Sequence, residues 1–189
     1  MRTTHRLAIG AIALLCGMTN VSTAADDQAT LHRHHESPPT LIDDVRRATK
    51  DFLDVNAAIA AGYGPAGGCV SGPENGAMGL HFANPALVGD GLLDADQPDI
   101  LMYELRNGRM RLLGVEFLVI AEAWHKTHPE TPSLKGQQFH YVGSPNRYGL
   151  PPFYELHVWA WRENPSGTFV DWNPRVSCDE VSGEGDSIE

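Results

Sequence analysis

The chain has 189 residues, 42% of them hydrophobic and 20% charged, with a formal net charge of -10 at pH 7. That length is enough for one domain with a real core. An acidic chain with no basic cluster is a poor match for nucleic acid, whose binding rests on phosphate neutralisation, and it has no basic amphipathic face for anionic lipid.

Arg2 and Arg6 precede an apolar run from Leu7 to Met18, and Ser22-Thr23-Ala24-Ala25 then supplies small residues ahead of Asp26 and Asp27. This layout predicts a cleavable signal peptide over residues 1–25 and export to the periplasm or beyond. The run falls short of the about 20 apolar residues of a membrane span, so no stable membrane anchor is expected. Lipid attachment at Cys16 would need a small residue where Leu15 stands. Loss of Arg2 and Arg6, with no acid, takes the formal charge from -10 to -12. Residues 26–39 read as a flexible leader whose His32, His34 and His35 are either solvated linker or a loose metal-binding tract. Residues 40–181 read as one globular domain, and 182–189 as a disordered tail.

Thr40 suits a helix N-cap, with Asp43 and Asp44 in the first turn, where the helix dipole favours acids. Leu41, Val45, Ala48, Phe52, Val55 and Ile59 then recur at helical spacing, up to a stop at Gly62. Residues 62–79 read as a glycine- and proline-rich loop whose end runs into a short strand, Gly76 to Phe82, stopping at Asn84-Pro85. Ile100 to Leu105 and Arg109 to Ile120 read as a hairpin around Asn107-Gly108. Ala121 to His128 suggests a helical turn, Gln138 to Val142 a strand, Ser144 to Pro152 a stiff loop, Phe153 to Trp161 a strand and Thr168 to Trp172 a last short strand. The class is α+β, with one N-terminal amphipathic helix packed on a curved, mainly antiparallel sheet.

After cleavage, Cys69 and Cys178 remain. In an oxidising compartment they form one disulfide most simply, closing a loop of about 110 residues worth at most about 4–5 kcal/mol by chain entropy. A thiolate ligand or nucleophile is the alternative, without a CxxC spacing to support it.

Five residues carry the chemistry. A two-residue Asn107-Gly108 turn sets Glu104 opposite Arg111, a structural ion pair. Glu116 has no such partner. Counted by twos it shares a face with Met110, Leu112, Leu118 and Ile120 and, across the hairpin, Leu101 and Tyr103; it is either buried there and paired, protonated or metal-bound, or set at an exposed end. Phe153, Glu155, His157, Trp159 and Trp161 share one face of a strand apolar on both sides. Glu155 and His157 can there hold one cation or one proton relay, or simply bond each other. His81 and His140 each lie in a short apolar strand. If His81, Glu116, His140, Glu155 and His157 converge, they make a site for a divalent transition metal: Zn, Cu, Fe or Mn. No tight motif such as HExxH is present.

His125 and His128 sit in a polar surface turn. Asn146, Arg147 and Tyr148, at the tip of the proline-rich loop, can recognise an anionic or hydroxylated small molecule, or Arg147 can pair with one of the chain's own acids. There is no GxSxG elbow, phosphate-cradling glycine motif or dinucleotide fingerprint.

Met78-Gly79-Leu80-His81-Phe82-Ala83-Asn84, Val115-Glu116-Phe117 and the segment Ser144 to Trp161 (SPNRYGLPPFYELHVWAW) resemble a group of exported bacterial proteins, over about residues 40–178. The resemblance implies a secreted bacterial domain and no particular activity. The leading expectation is an exported protein that binds a metal ion or small ligand through a His/Glu cluster. If it is an enzyme, metal-assisted chemistry with Glu116 as base is the natural class. The alternatives are a metal-free module for a polar ligand and a structural envelope protein.

Overall fold

A computed structural model describes residues 40–72 and 74–181. The signal peptide, the His-containing leader and the tail expected from sequence lie outside the described residues. The chain is α+β, built on a curled antiparallel sheet.

Helix α1 spans Leu41–Thr49, and its first turn is closed by a capping box in which the Thr40 hydroxyl accepts from the Asp43 N–H and Asp43 accepts from the Thr40 N–H. The helical periodicity continues, but not as one rod. Residues Lys50–Leu53 tighten into a 3₁₀ turn, and Asp54 caps a new helix, α2 (Val55–Ala60), by accepting from the Asn56 N–H. An Asx cap inside the pattern restarts the helix, and Gly62, at φ +96°, ends it. Leu41 and Val45 are buried, whereas Ile59, the last residue of the stripe, is exposed.

The rest of the chain gives β1 (Gly64–Gly72), β2 (Gly76–Ala83), a short α3 (Pro85–Val88), β3 (Ile100–Arg106), β4 (Arg109–Ile120), α4 (Ala121–His125), β5 (Ser133–Leu134), β6 (Gln137–Gln138), β7 (His140–Val142) and β8 (Phe153–Val158). Six of these strands form one sheet in the order β1-β2-β3-β4-β8-β7, and β5 pairs with β6. Residues 64–72, expected as loop, are a strand: β1 pairs with β2 through two irregularities in register, and its glycines and proline hide the alternation that marks a strand. Thr168 to Trp172 forms no strand; its carbonyls at Thr168 and Val170 instead accept from the Trp159 backbone and indole N–H groups.

The Asn107-Gly108 turn forms as expected, with both residues at positive φ. Glu104 stands opposite Arg111 in register, yet no ion pair joins them. The Glu104 carboxylate is buried and accepts from the Ser177 N–H instead.

One irregularity decides which face carries what. Met102 pairs with Gly114 but Tyr103 pairs with Leu112, so Leu113 is an extra residue in β4. The bulge inverts the parity of everything beyond it. Leu112, Val115, Phe117, Leu101, Tyr103, Leu156 and Val158 therefore share the face covered by α1 and α2. Glu116 lies on the opposite face with Leu118 and Ile120, not with Met110, Leu112, Leu101 and Tyr103 as simple counting predicts. Trp161 also departs from the expected face: β8 ends at Val158, and the Trp161 indole N–H reaches the Thr49 hydroxyl under the helices.

The second face is covered by the C-terminal stretch. Ala77 and Asn173 exchange backbone hydrogen bonds, Cys69 and Cys178 form the expected disulfide, and Glu180 accepts from the Asn107 and Gly108 N–H groups. No helix among the described residues is long and apolar enough to cross a membrane.

The close approach of β4 and β8 requires Gly114, because a Cβ there would stand 2.1 Å from the Val158 carbonyl oxygen. Gly114→Ala is expected to cost about 1–3 kcal/mol or more as β8 is forced away. Urea unfolding checks this, and an unchanged midpoint would contradict the packing described.

Candidate metal centre

Four of the five expected residues gather on the second face, each from a different point in the register. Glu116 pairs with His157 across β4 and β8, and Leu118 pairs with Glu155 one step along. His81 of β2 pairs with Met102, which pairs with Gly114, so His81 sits one row from Glu116. The parity of β8 is as expected: Glu155 and His157 point to this face, and Tyr154, Leu156 and Val158 to the other.

His81, Glu116, Glu155 and His157 are all buried. His81 Nε2 lies 3.4 Å and His157 Nε2 3.8 Å from the same oxygen, Oε2 of Glu116. These separations exceed those of charge-assisted hydrogen bonds. No ring nitrogen of His81 or His157 meets strict hydrogen-bond geometry among the described residues, although the Gly79 backbone bears on His81 and the Asp171 carboxylate on His157. Three of these four nitrogens instead face a carboxylate oxygen at 3.3–3.8 Å, longer than the hydrogen bonds that buried polar atoms normally make.

His140 is at the rim. It pairs in register with Glu155, but its side chain is 51% exposed and belongs to neither compact donor group. It contacts Asp171, a residue that sequence reasoning missed. Asp171 Oδ1 lies 3.3 Å from His140 Nδ1 and 3.3 Å from His157 Nδ1. Two three-residue donor groups result: His81, Glu116 and His157, and Glu155, His157 and Asp171, each with its atoms within 4.8 Å of one another.

Electrostatics reflect the burial. Loss of solvent, then the neighbouring His157, push His81 down to about 3, with the Gly79 backbone offsetting a part. Burial pushes Glu116 up to about 8, an effect that His157 opposes and the adjoining Glu155 carboxyl reinforces. Glu155 is likewise raised, chiefly by burial. Burial disfavours charge on His157, yet Asp171, Glu116 and Glu155 together outweigh it and raise the group to about 9. Asp171 is lowered: burial is again the largest single effect and acts the other way, but His157 and His140 overcome it.

The proline-rich loop lies beside this face. The Tyr148 ring contacts Phe153, and its hydroxyl points to the Met78 sulfur at 3.7 Å. Asn146 is engaged by the loop itself: its NH₂ donates to the Gly143 and Leu150 carbonyls, and its oxygen accepts from the Tyr148 and Leu150 N–H groups. Arg147 makes no ion pair among the described residues and lies 6.0 Å from the centre of the Trp172 ring. His125 bonds the His128 carbonyl and the Tyr154 hydroxyl of β8, and His128 stacks on Trp124.

Neither a protein-family model, nor a curated protein, nor a solved structure matches the chain.

The titrations set a direction for stability in chelator-treated protein. Glu116 and Asp99 are raised by burial, Asp99 to about 7, and His157 is raised to about 9. Each binds a proton when folded that the unfolded chain has given up, so its contribution is lost as pH rises through that folded value. His81 acts oppositely, losing its contribution as pH falls below about 6.5 toward 3. The melting temperature should therefore fall between pH 6 and pH 9. A flat or rising profile over that interval would contradict the burial described.

Proposed function

We propose that this chain is an exported protein that binds a divalent transition-metal ion through His81, Glu116 and His157. One observation carries the reading. Two ligands about 2.1 Å from one tetrahedral ion stand about 3.4 Å apart. The His81 and His157 nitrogens face one Glu116 oxygen at 3.4 and 3.8 Å, too far to bond each other and near the spacing of shared ligands. The donor chemistry agrees. Two imidazoles and a carboxylate suit zinc and its first-row neighbours, while calcium and magnesium prefer oxygen.

The chain's own residues would hold the ion rigidly. His81, Glu116 and His157 stand on three strands of one sheet, and Gly114 lets β8 approach closely enough for His157 to reach Glu116. Three protein ligands leave a tetrahedral ion one position short, which is the arrangement of sites that act on water or a bound molecule. When bound, the ion would supply Lewis acidity at that position. Glu155, buried beside Glu116, adds a second carboxylate against the same site. Export is supported by the Cys69–Cys178 disulfide, since such bonds persist in oxidising compartments. It is supported too by the charged and apolar pattern of residues 1–25.

Elemental analysis of the purified chain tests the reading. Stoichiometric metal is expected, and a His81→Ala, His157→Ala double variant should lose it while keeping its far-UV spectrum. Wild-type protein without stoichiometric metal after loading, or a double variant that retains it, would contradict the site.

Binding must also displace the protons held by Glu116 and His157. Zinc affinity should therefore rise steeply between pH 6 and pH 8, by about 10- to 100-fold per unit for one to two protons released. Competition with a chelating dye measures this, and a pH-independent affinity would argue against these two ligands.

A further inference from the structure

His157 offers both of its ring nitrogens. Nε2 faces Glu116 and His81, while Nδ1 faces Asp171, with Glu155 in the same donor group. An Asp171 that merely oriented His157 would accept the Nδ1–H at about 2.7–2.9 Å, as charge-assisted bonds do. The observed 3.3 Å is longer than that, and Nδ1, in a side chain 1% exposed, makes no hydrogen bond of strict geometry. The same Asp171 oxygen is hydrogen-bonded to His140 Nδ1 at the rim, also at 3.3 Å. Both separations match the about 3.4 Å between co-ligands of one tetrahedral ion.

We propose that the centre takes two divalent cations bridged by His157: one on His81, Glu116 and His157 Nε2, the other on His157 Nδ1, Asp171 and Glu155, with His140 completing the second site from the solvent side. The inference rests on the metal-binding reading above and extends it. Charge supports it. Two divalent ions are balanced by the carboxylates of Glu116, Glu155 and Asp171 together with a His157 imidazolate, giving a neutral centre in a buried setting where net charge is costly. The Nδ1 proton leaves to solvent as the second ion enters, so the only bonds exchanged are N–H for N–metal. Asp171 reaches the centre because the C-terminal stretch is fixed on either side of it: the Trp159 indole donates to the Val170 carbonyl at 2.6 Å, and Asn173 is bridged to Ala77.

The test loads the full, oxidised chain with zinc, removes excess by gel filtration and counts metal per chain. Two ions are expected in the wild type and one in Asp171→Asn, with Glu155→Gln as a second variant should the first fail to fold. His81→Gln should also fall to one, from the other side. Copper(II) supplies the spectroscopic arm. Coupling through the imidazolate should leave the doubly loaded wild type well below two unpaired spins per chain, while Asp171→Asn shows one full spin. A single zinc in both wild type and Asp171→Asn, or two uncoupled copper spins, would overturn the bridge and leave the one-ion site standing. No zinc in any form would overturn both readings.

Discussion

An apolar sheet face that buries two imidazoles and two carboxylates imposes the constraint on which the rest of this structure depends. Ile100, Leu118 and Phe153 surround Glu116, Glu155 and His157, and water does not reach the ring nitrogens. In such a setting each ionisable group must be neutral, paired or bound to something that replaces water. The shifts follow from that choice: the carboxylates rise, His81 is held neutral, and His157 keeps its charge only because Asp171 and Glu116 face it. A structural polar cluster would settle into short hydrogen bonds. Here Glu116 and Glu155 share a hydrogen bond, but His81 and His157 keep 3.3–3.8 Å from the carboxylate oxygens that face them.

The fold exists on both sides of that face. Behind it, α1 and the aromatic core of Phe82, Tyr103 and Phe117 give the sheet a conventional apolar backing. In front, the covering segment is fixed by the disulfide at Cys178, the Asn173 bridge and the Glu180 contacts at the hairpin turn. The disulfide thus does more than limit the unfolded ensemble. It holds down the strand-free stretch that carries Asp171, linking that crosslink to the geometry of the site.

What could be read from the sequence follows the regularity of each segment. Strand β8 reads as a run apolar on both faces, and counting by twos sets Glu155 and His157 on one face, as the structure has them. Glu116 was recognised as a carboxylate in an apolar strand, although its expected neighbours were partly wrong, since the Leu113 bulge reverses parity midway along β4. No period-two count can detect one extra residue. Strand β1 was hidden because glycine and proline carry no alternation. Asp171 was invisible for a different reason: its place depends on long-range contacts made by an irregular segment, and an acid between Val170 and Trp172 has no local signature. His140 was found, but the solvent exposure that sets it at the rim is a property of the sheet edge on β7.

X-ray absorption at the zinc edge of the loaded chain measures the central claim most directly, because it reports the ligands rather than the stoichiometry. The account predicts a low-coordinate shell of nitrogen and oxygen at about 2.0–2.1 Å with the outer-shell scattering of imidazole. A six-coordinate, all-oxygen shell without imidazole scattering would contradict it, and would return His81, Glu116 and His157 to the status of buried groups without an explanation.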